Sequence, residues 1–349
     1  MDRYIGMDVH AASTTLAVID ARGKKLHSKV VETNGKALLE CLQTEPGSLH
    51  LCLEEGTQST WLAEILTPHV TRVVVVHVSE SRGHKNDERD AFALAEMLRT
   101  NAVKTTVYKQ TGPFASLRLL VKAHTATVRD TVRAQNRLKA LFRSHGVEMT
   151  GSNPYGMKQR ETRIESLPES ARPSAKVMFA HYDALQATRV QAEAAMVEES
   201  HRHSISQVLE TCPGLGPIRV AQLVSVVITP ERFRTRAQFW AYCGLGVVIR
   251  SSSDWVREGD RWQKRPVQRT RGLNLNHNHL LKAVFKGAAT TVIVQHKEHP
   301  LRAGYQRQID GGTKPPLAKV TLARRLAATA LSMWKTQEVF DAAKVKIAS

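Results

Sequence analysis

The first hundred residues alternate short apolar runs with stretches of helical periodicity. Five runs rich in β-forming residues are bounded by turn residues, and three other stretches repeat their apolar positions at helical spacing. We predict strands at residues 3–9, 14–20, 26–31, 49–53 and 72–78, and helices at 36–42, 60–66 and 88–99. The order βββαβαβα predicts a mixed sheet, in which three antiparallel strands precede parallel strands that follow helical crossovers. Residues 1–108 are therefore expected to form one α/β domain.

The remainder of the chain is predicted to be mainly helical. Residues 112–146 and 175–210 carry helical patterns, whereas residues 148–174 are rich in Gly, Pro, Ser and charge and are predicted to be a linker. The two long helices could pair as a coiled coil. We therefore expect a long-helix region at 109–204 and a mainly α C-terminal domain at 205–349.

The first long helix is strongly basic. Lysine and arginine side chains are interleaved with its apolar positions at Arg118, Lys122, Arg129, Arg133, Arg137, Lys139 and Arg143. Such a face either is solvated or lies along phosphates or a partner helix. Both interpretations remain open at this stage.

The composition favours a globular protein with a polyanionic partner. Of 349 residues, 42% are hydrophobic and 23% are charged, and no stretch approaches the roughly 18 apolar residues of a membrane span. Lys and Arg outnumber Asp and Glu by 50 to 32, which gives a formal charge of +18. Basic side chains placed against phosphates release condensed counterions, so nucleic acid is the simplest partner. Binding to a membrane surface is the lesser alternative, and no lipidation motif supports it.

The cysteines and the N-terminus indicate a reducing, cytoplasmic setting. Cys41, Cys52, Cys212 and Cys243 lie far apart without a CxxC pair, which argues against a zinc site and a disulfide framework. We expect buried, reduced thiols. The first ten residues lack a basic region followed by a small-residue cleavage site, so we expect no secretory signal.

Four acidic residues from three predicted elements form a candidate metal site. Asp8 lies in an otherwise apolar strand, where an acid without a partner or an ion is costly to bury. Glu55 follows a predicted strand, and Asp87 and Asp90 are spaced to share one face at the start of a predicted helix. Oxygen ligands suit Mg²⁺, and two ions about 4 Å apart can activate a nucleophile and stabilise the leaving oxygen at a phosphodiester.

Each of these acids also has a structural interpretation. Asp87 and Asp90 could be acids that the helix dipole favours at an N-terminus. Asp8 could lie at a sheet edge, and Glu54 or Glu55 could be solvated. The element order is also that of the ribonuclease H-like fold. This is an analogy with known architectures, and it is informative only together with these acids.

Two C-terminal features also suggest contact with phosphate. Pro213-Gly-Leu-Gly-Pro217 precedes an apolar helix, as in a helix-hairpin-helix in which Gly214 and Gly216 let the backbone approach a phosphate. The alternative is a structural tight turn. Further on, Ser251, Ser252 and Ser253 stand in a basic loop, where a hydroxyl could act as nucleophile or simply be a loop residue. The basic residues of this loop are Arg250, Arg257, Arg261, Lys264, Arg265, Arg269 and Arg271.

The chain resembles the IS110/IS1111-type transposases, also called DEDD recombinases, over nearly its whole length. The resemblance is carried by Ile5-Gly-Met-Asp-Val-His10, Glu55-Gly-Thr57, Lys85-Asn-Asp-Glu-Arg-Asp-Ala91, Arg137-Leu-Lys-Ala-Leu141, Pro213-Gly-Leu-Gly-Pro217 and Tyr242-Cys-Gly-Leu245. The K-x-D-x-x-D-A block is the most specific of these motifs. Family members pair a RuvC-like N-terminal domain with a C-terminal domain that supplies a catalytic serine.

The resemblance implies an enzyme that moves an insertion sequence in the bacterial cytoplasm with a noncoding guide RNA. Asp8, Glu55, Asp87 and Asp90 would bind Mg²⁺, and Ser252 would attack the DNA backbone, with Ser251 and Ser253 as alternatives. The serine segment departs from the family pattern, since Ser251-Ser-Ser-Asp254 stands where the family usually has Ser-Ser-Gly-Gly.

We expect a homodimer or homotetramer. The acids and the serines lie far apart in sequence, so the long helices between them could place one subunit's serine beside another's acids. Two rival functions are a RuvC-like junction endonuclease that uses metal-activated water and a non-catalytic nucleic-acid-binding protein.

Overall fold

The computed structural model describes residues 1–77, 86–103, 106, 113–151, 153–249, 255–264 and 270–344. The chain divides into two compact units, Met1–Gly112 and Pro113–Ser349.

The N-terminal unit contains a five-stranded mixed sheet, as the sequence predicts. Its elements are β1 (Asp2–Val9), β2 (Ser13–Asp20), β3 (Lys25–Glu32), α1 (Gly35–Gln43), β4 (Ser48–Glu54), α2 (Ser59–Leu66), β5 (Arg72–Val76) and α3 (Asp87–Arg99). The strand order is β3-β2-β1-β4-β5. β2 is antiparallel to both β1 and β3, whereas β4 is parallel to both β1 and β5.

Alternation along the strands builds two helical layers on this sheet. Successive strand residues point to opposite faces, so Ile5 and Met7 pack in one core with Leu38 of α1 and Leu62 of α2. The other face, which carries Cys52 and Val74 among its buried residues, packs against Leu94 and Leu98 of α3. The sheet is therefore covered on both faces.

Gly6 of β1 lets α3 approach the sheet closely. A Cβ at Gly6 would stand 1.8 Å from the carbonyl oxygen of Ala91 and 2.7 Å from the backbone nitrogen of Ala95. Only a residue without a side chain fits there. This contact fixes where the N-terminus of α3 meets the end of β1.

The second unit is mainly helical, also as predicted. Its helices are α4 (Ala115–Ser144), α5 (Arg160–Glu165), α6 (Arg172–His201), α7 (Ser204–Glu210), α8 (Pro217–Val227), α9 (Arg236–Tyr242), α10 (His279–Gln295), α11 (Pro300–Asp310) and α12 (Pro315–Thr336). Its short strands are β6 (Val247–Ile249), β7 (Trp255–Glu258), β8 (Arg261–Lys264) and β9 (Thr270–Leu273). Among the helices of the described residues, none has an apolar stretch long enough to cross a bilayer.

The long helices α4 and α6 pack together and join the C-terminal core. Their facing sides bury Leu138, Phe142 and Phe179 in one cluster. At the other end, Leu117 of α4 and Met196 of α6 are buried in the cluster that contains the C-terminal helices. One end of each long helix is therefore part of the C-terminal core.

The predicted linker is better packed than its composition suggested. Ile164, Leu167 and Ala171 from this segment are buried against the long helices. Arg160 forms an ion pair with Asp183 of α6, with an Nη2 to Oδ1 distance of 2.7 Å. The charged residues that suggested a solvated linker are thus partly used in fixing the segment to α6.

The cysteine prediction agrees with the structure for three of the four residues. Cys52, Cys212 and Cys243 are buried free thiols, and Cys41 is half-buried. Burial raises the pKa of the Cys52 and Cys212 thiols to about 12. These two thiols are therefore inert packing residues near neutral pH.

Candidate active site

The end of β1 and the beginning of α3 bring three candidate ligands together. The His10 Nε2 atom lies 3.5 Å from the Asp8 Oδ2 atom and 3.4 Å from the Asp87 Oδ2 atom. One ligand atom from each of the three residues lies within 4.8 Å of the others. Asp8 and Asp87, predicted from separate elements, thus belong to one cluster, to which the structure adds His10.

The local sequence explains this meeting. Residues two apart on a strand share a face, so Asp8 and His10 extend the face on which Gly6 meets α3. At the helix, the Asn86 side chain caps the N-terminus by accepting a hydrogen bond of 3.1 Å from the Arg89 backbone N–H. Helix α3 therefore begins where its first-turn acids can reach the end of β1.

Partial burial and neighbouring acids disfavour the charged form of Asp8. The Asp8 side chain is only 20% exposed. Burial raises the pKa of its carboxyl above the ordinary value, the His10 ring lowers it, and the negative charges of Asp87 and Asp90 raise it further. The net effect is a raised pKa, because partial desolvation and like charges both disfavour the carboxylate.

Glu55 lies at the same edge of the sheet. It directly follows β4, which is parallel to β1, so both strands end on the side of the sheet that carries Asp8. The Glu55 backbone N–H donates to the Val76 carbonyl at 2.8 Å, and its Oε2 atom lies 3.8 Å from the His77 Nδ1 atom. The next turn is held by Ser59, whose hydroxyl donates to the Gly56 carbonyl at 2.8 Å.

The structure does not place all four predicted acids in one ligand group. Asp90 is half-buried in the first turn of α3, and its charge acts on Asp8. Glu55 is separate from the group formed by Asp8, His10 and Asp87. The candidate nucleophiles Ser251, Ser252 and Ser253 lie outside the described residues, as do Arg250, Arg265 and Arg269.

His10 is the site residue that the sequence analysis missed. It was quoted only as part of the motif around Asp8, with no role of its own. The available signal was its position two residues after Asp8 at the end of a strand, which places both side chains on one face.

The basic residues of α4 are mostly exposed. Lys122, Arg129 and Arg137 reach solvent, and Arg133 is exposed while pairing with Asp130 at 3.0 Å. Arg118 is half-buried. The basic face of α4 therefore comprises the solvent-facing cations Lys122, Arg129, Arg133, Arg137, Lys139 and Arg143.

The two glycines of the predicted phosphate-binding turn have different surroundings. Gly214 has φ +81°, and a Cβ there would stand 2.5 Å from the Ala288 carbonyl oxygen of α10. Gly216 precedes α8, and a Cβ there would meet nothing within 4 Å. Arg219 fixes the turn from the side, because it donates to the Gly214 carbonyl at 2.7 Å and to the Thr291 hydroxyl at 3.0 Å.

The basic loop contains a β-hairpin that was not predicted. Strands β7 and β8 are antiparallel, and Gly259, with φ +64°, forms the turn with Asp260. The Arg257 guanidinium bends back to this turn, where Nε donates to the Gly259 carbonyl at 3.2 Å. Of the other predicted nucleic-acid contacts, Lys264 ends β8 and Arg271 lies in β9.

Both units match models of known transposases. The DEDD transposase model of the IS110 type matches residues 5–146, and the model described as transposase of the IS116/IS110/IS902 family matches residues 206–306. Together these matches cover most of the chain, including the acid cluster and the glycine turn.

Two relatives are similar along almost their full length. The 44.8 kDa protein of insertion element IS116 from Streptomyces clavuligerus is 21% identical, with 97% of this chain and 96% of the relative aligned. The transposase y4pF/y4sB of Sinorhizobium fredii, a provisional designation, is 23% identical, with 97% of this chain and 86% of the relative aligned.

The mixed sheet, its acidic edge and the helical remainder define a DNA transposase of the DEDD class. The chain belongs to the IS110 family of transposases. Its substrate is therefore DNA, and its N-terminal domain is of a type that uses divalent metal. The donor set fits such an ion, because carboxylate oxygens and an imidazole nitrogen converge within 4.8 Å.

Proposed function

We propose that this transposase exchanges DNA strands with Mg²⁺ held by Asp8, Glu55, Asp87 and Asp90 and with Ser252 as nucleophile. Ser251 and Ser253 are the alternative nucleophiles. The observation that carries the metal half is the convergence of Asp8 and Asp87 from two elements, with one ligand atom of each inside a group 4.8 Å wide. The serine half rests on the family resemblance alone.

The acids would act as a fixed anionic cradle. Bound at this edge, Mg²⁺ would offset the negative charge that accumulates on a phosphodiester under attack, as two ions about 4 Å apart do in related chemistry. Asp8 and Asp87 would hold this ion in position against the scissile phosphate, because both are fixed by the junction of β1 with α3. Glu55 and Asp90, at the same edge and in the same helical turn, would complete the oxygen ligands.

The proposed strand exchange balances without any redox partner. The serine oxygen forms a bond to phosphorus while the bond from phosphorus to one sugar oxygen breaks. That sugar oxygen leaves as a hydroxyl after receiving a proton, and the serine loses its own proton. In the second step, a hydroxyl of another strand attacks the phosphoserine and releases the serine, so the number of phosphodiester bonds is conserved.

The surface charge supports further nucleic-acid contacts. The chain carries a formal charge of +18, and the basic face of α4 presents a row of exposed cations along a helix of 30 residues. We propose that this face follows a phosphate backbone, with Arg118, Gly214, Gly216, Arg250, Arg257, Lys264, Arg269 and Arg271 as further contacts. Long-range attraction to polyanions favours fast encounter and makes binding dependent on salt.

Guidance by a noncoding RNA and assembly as a homodimer or homotetramer belong to the same proposal. Guidance follows from the family resemblance, and assembly from the separation of the acids and the serines in sequence. Sequencing the nucleic acid that copurifies with the protein tests the RNA directly. An enriched short RNA from beside the gene supports guidance, whereas random cellular RNA argues against it.

Trapping of a covalent protein–DNA adduct tests the serine mechanism. Nicked DNA carrying an element end would be incubated with protein and Mg²⁺, and the products separated under denaturing conditions. We expect an adduct that is lost in Ser252→Ala and kept in Ser251→Ala and Ser253→Ala. Cleavage without an adduct, unchanged in all three variants, would instead indicate a RuvC-like endonuclease that uses water.

A further inference from the structure

His10 stands between the two carboxylates of the candidate metal site. Its Nε2 atom is 3.5 Å from Asp8 Oδ2 and 3.4 Å from Asp87 Oδ2. Both distances exceed the roughly 2.7 to 3.2 Å of a good N–H···O hydrogen bond. Ligand atoms that share one ion at about 2.1 Å stand about 3 to 4 Å apart. The spacing therefore leaves room for a cation shared by the His10 nitrogen and the two carboxylates.

The backbone holds His10 in place on both sides. Its N–H donates to the Ser13 carbonyl at 2.9 Å, and its carbonyl accepts from the Thr33 hydroxyl at 2.9 Å. The Thr33 hydroxyl oxygen lies 2.8 Å from the hydroxyl oxygen of Thr14. Thr14 is fully buried. His10 thus extends from a fixed turn rather than from a free loop, although its side chain is 53% exposed. A ligand held in this way needs little ordering when it binds an ion.

We propose that His10 is a ligand of the catalytic cation, binding through Nε2 together with Asp8 and Asp87. This inference rests on the proposed function, because it presupposes a cation at the two carboxylates. Imidazole nitrogen suits first-row transition ions, whereas carboxylate oxygens suit Mg²⁺ and Mn²⁺ alike. The site should consequently bind Mn²⁺ more tightly than Mg²⁺, and the difference should depend on His10.

Other histidine–carboxylate pairs in the N-terminal unit differ from this arrangement. His50 lies 3.4 Å from Asp2 and stacks on Tyr4 with ring centroids 5.1 Å apart. Within the described residues, the group of Asp8, His10 and Asp87 is the one that offers three ligand atoms to a single ion. His50 therefore provides a matched control, a histidine beside one carboxylate in the same unit.

Binding of Mn²⁺ to the full-length protein tests the inference. Electron paramagnetic resonance would measure the affinity of wild type, His10→Ala, His10→Asn, His50→Ala and Asp8→Asn, and competition with Mg²⁺ would give the second affinity. We expect both His10 variants to bind Mn²⁺ at least about tenfold more weakly, with a smaller loss for Mg²⁺. Spin-echo modulation from a coordinated nitrogen should be present in wild type and His50→Ala and absent from Mn²⁺ bound to either His10 variant.

The outcomes separate this inference from the function on which it rests. If wild type binds Mn²⁺ with nitrogen modulation, Asp8→Asn loses the ion and His10 variants lose the modulation, the ligand assignment stands. If Asp8→Asn loses the ion but wild type lacks the modulation and His10 variants keep full affinity, the assignment of His10 as a ligand is wrong. The carboxylate site then still stands. If wild type binds no ion, or Asp8→Asn binds it as tightly, both proposals fail. Thermal unfolding of the metal-free variants controls for misfolding.

Discussion

Gly6 of β1 and Ala91 of α3 are in direct backbone contact, so close that a Cβ at Gly6 would stand 1.8 Å from the Ala91 carbonyl oxygen. The same strand and helix carry Asp8 and Asp87, whose carboxylates face His10. The candidate metal site is therefore built on a helix–strand junction that tolerates no side chain at Gly6. The clash that a Cβ at Gly6 would make cannot be relieved by a rotamer change, because the backbone fixes the Cβ position and the Ala91 oxygen belongs to the backbone.

Gly6→Ala is expected to separate α3 from the sheet and to disrupt the site. Overpacking of this kind typically costs about 1 to 3 kcal/mol, and the backbone clash places this change at the upper end. Chemical unfolding would measure the loss, and Mn²⁺ binding would report the displaced ligands. Gly35→Ala is the control, since a Cβ there meets the Ile65 side chain at an ordinary 3.4 Å. Wild-type stability in Gly6→Ala would contradict the close contact.

Asp8→Asn is expected to stabilise the metal-free protein while abolishing DNA strand transfer. The pKa of Asp8 is raised in the fold, mainly by burial, so the folded state keeps a proton that the unfolded chain has already lost. The free energy of unfolding therefore falls as pH rises through this interval, and the full penalty remains above the folded pKa. Asp8→Asn removes one of two like charges that lie less than 5 Å apart, so the free energy of unfolding should rise by about 1 kcal/mol near pH 7.

Denaturant unfolding in the presence of a chelator, near neutral and near pH 3, would measure this effect. The advantage of Asp8→Asn should vanish at the acid pH, where both states of wild type are protonated. Asp20→Ala is a control of opposite sign, because hydrogen bonds from the Lys24 and Arg22 backbone N–H groups lower the pKa of Asp20. If Asp8→Asn is less stable than wild type near pH 7, the acids are structural partners rather than a strained site.

The N-terminal fold could be predicted because its local signals agree. The strands are short runs rich in β-forming residues, turns separate the antiparallel strands, and the acids at residues 87 and 90 begin a helix that Asn86 caps. The candidate metal-binding acids could be proposed from the sequence because carboxylates at strand and helix ends are visible there. Local patterns of this kind are most reliable where propensity and burial point the same way.

The parts that could not be predicted depend on tertiary contacts or on weak patterns. The spacing of His10 from Asp8 indicates a shared face, but its contact with Asp87 depends on the approach of another element. The segment containing Ile164 and Leu167 looked like a linker because few apolar residues stand among many polar ones, yet those few are buried against the long helices. The hairpin of β7 and β8 was hidden because its strands are four residues long and rich in charge.

Replacing two cations of the basic α4 face should weaken DNA binding and its dependence on salt. Arg129 and Arg137 are exposed, and neutralising a phosphate contact lowers the slope of log K against log salt by about 0.9. We expect Arg129→Gln with Arg137→Gln to reduce the slope by about 1 to 2. The control is Arg202→Gln at the C-cap of α6, where Arg202 already pairs with Glu198 and Glu199. An unchanged slope in the double variant would identify the α4 face as merely solvated.

Replacing the two glycines of the turn before α8 with alanine should affect stability at one position only. Gly214→Ala forces a Cβ to within 2.5 Å of the Ala288 carbonyl oxygen at a positive φ, so it should destabilise the protein by about 1 to 3 kcal/mol. Gly216→Ala meets no neighbour within 4 Å and has φ −75°, so its stability should stay within about 0.5 kcal/mol of wild type.

Gly216→Ala therefore tests nucleic-acid contact without disturbing the fold. If the backbone at this turn approaches a phosphate, the added methyl group stands in the way, and affinity for a DNA duplex should fall about tenfold at unchanged thermal stability. Fluorescence anisotropy at fixed salt would measure the affinity, and Gly35→Ala, where an added Cβ makes only an ordinary contact with Ile65, would serve as a control for an added methyl group. Unchanged affinity in Gly216→Ala would assign the turn a structural role, in which Gly214 packs against α10 and Arg219 secures it.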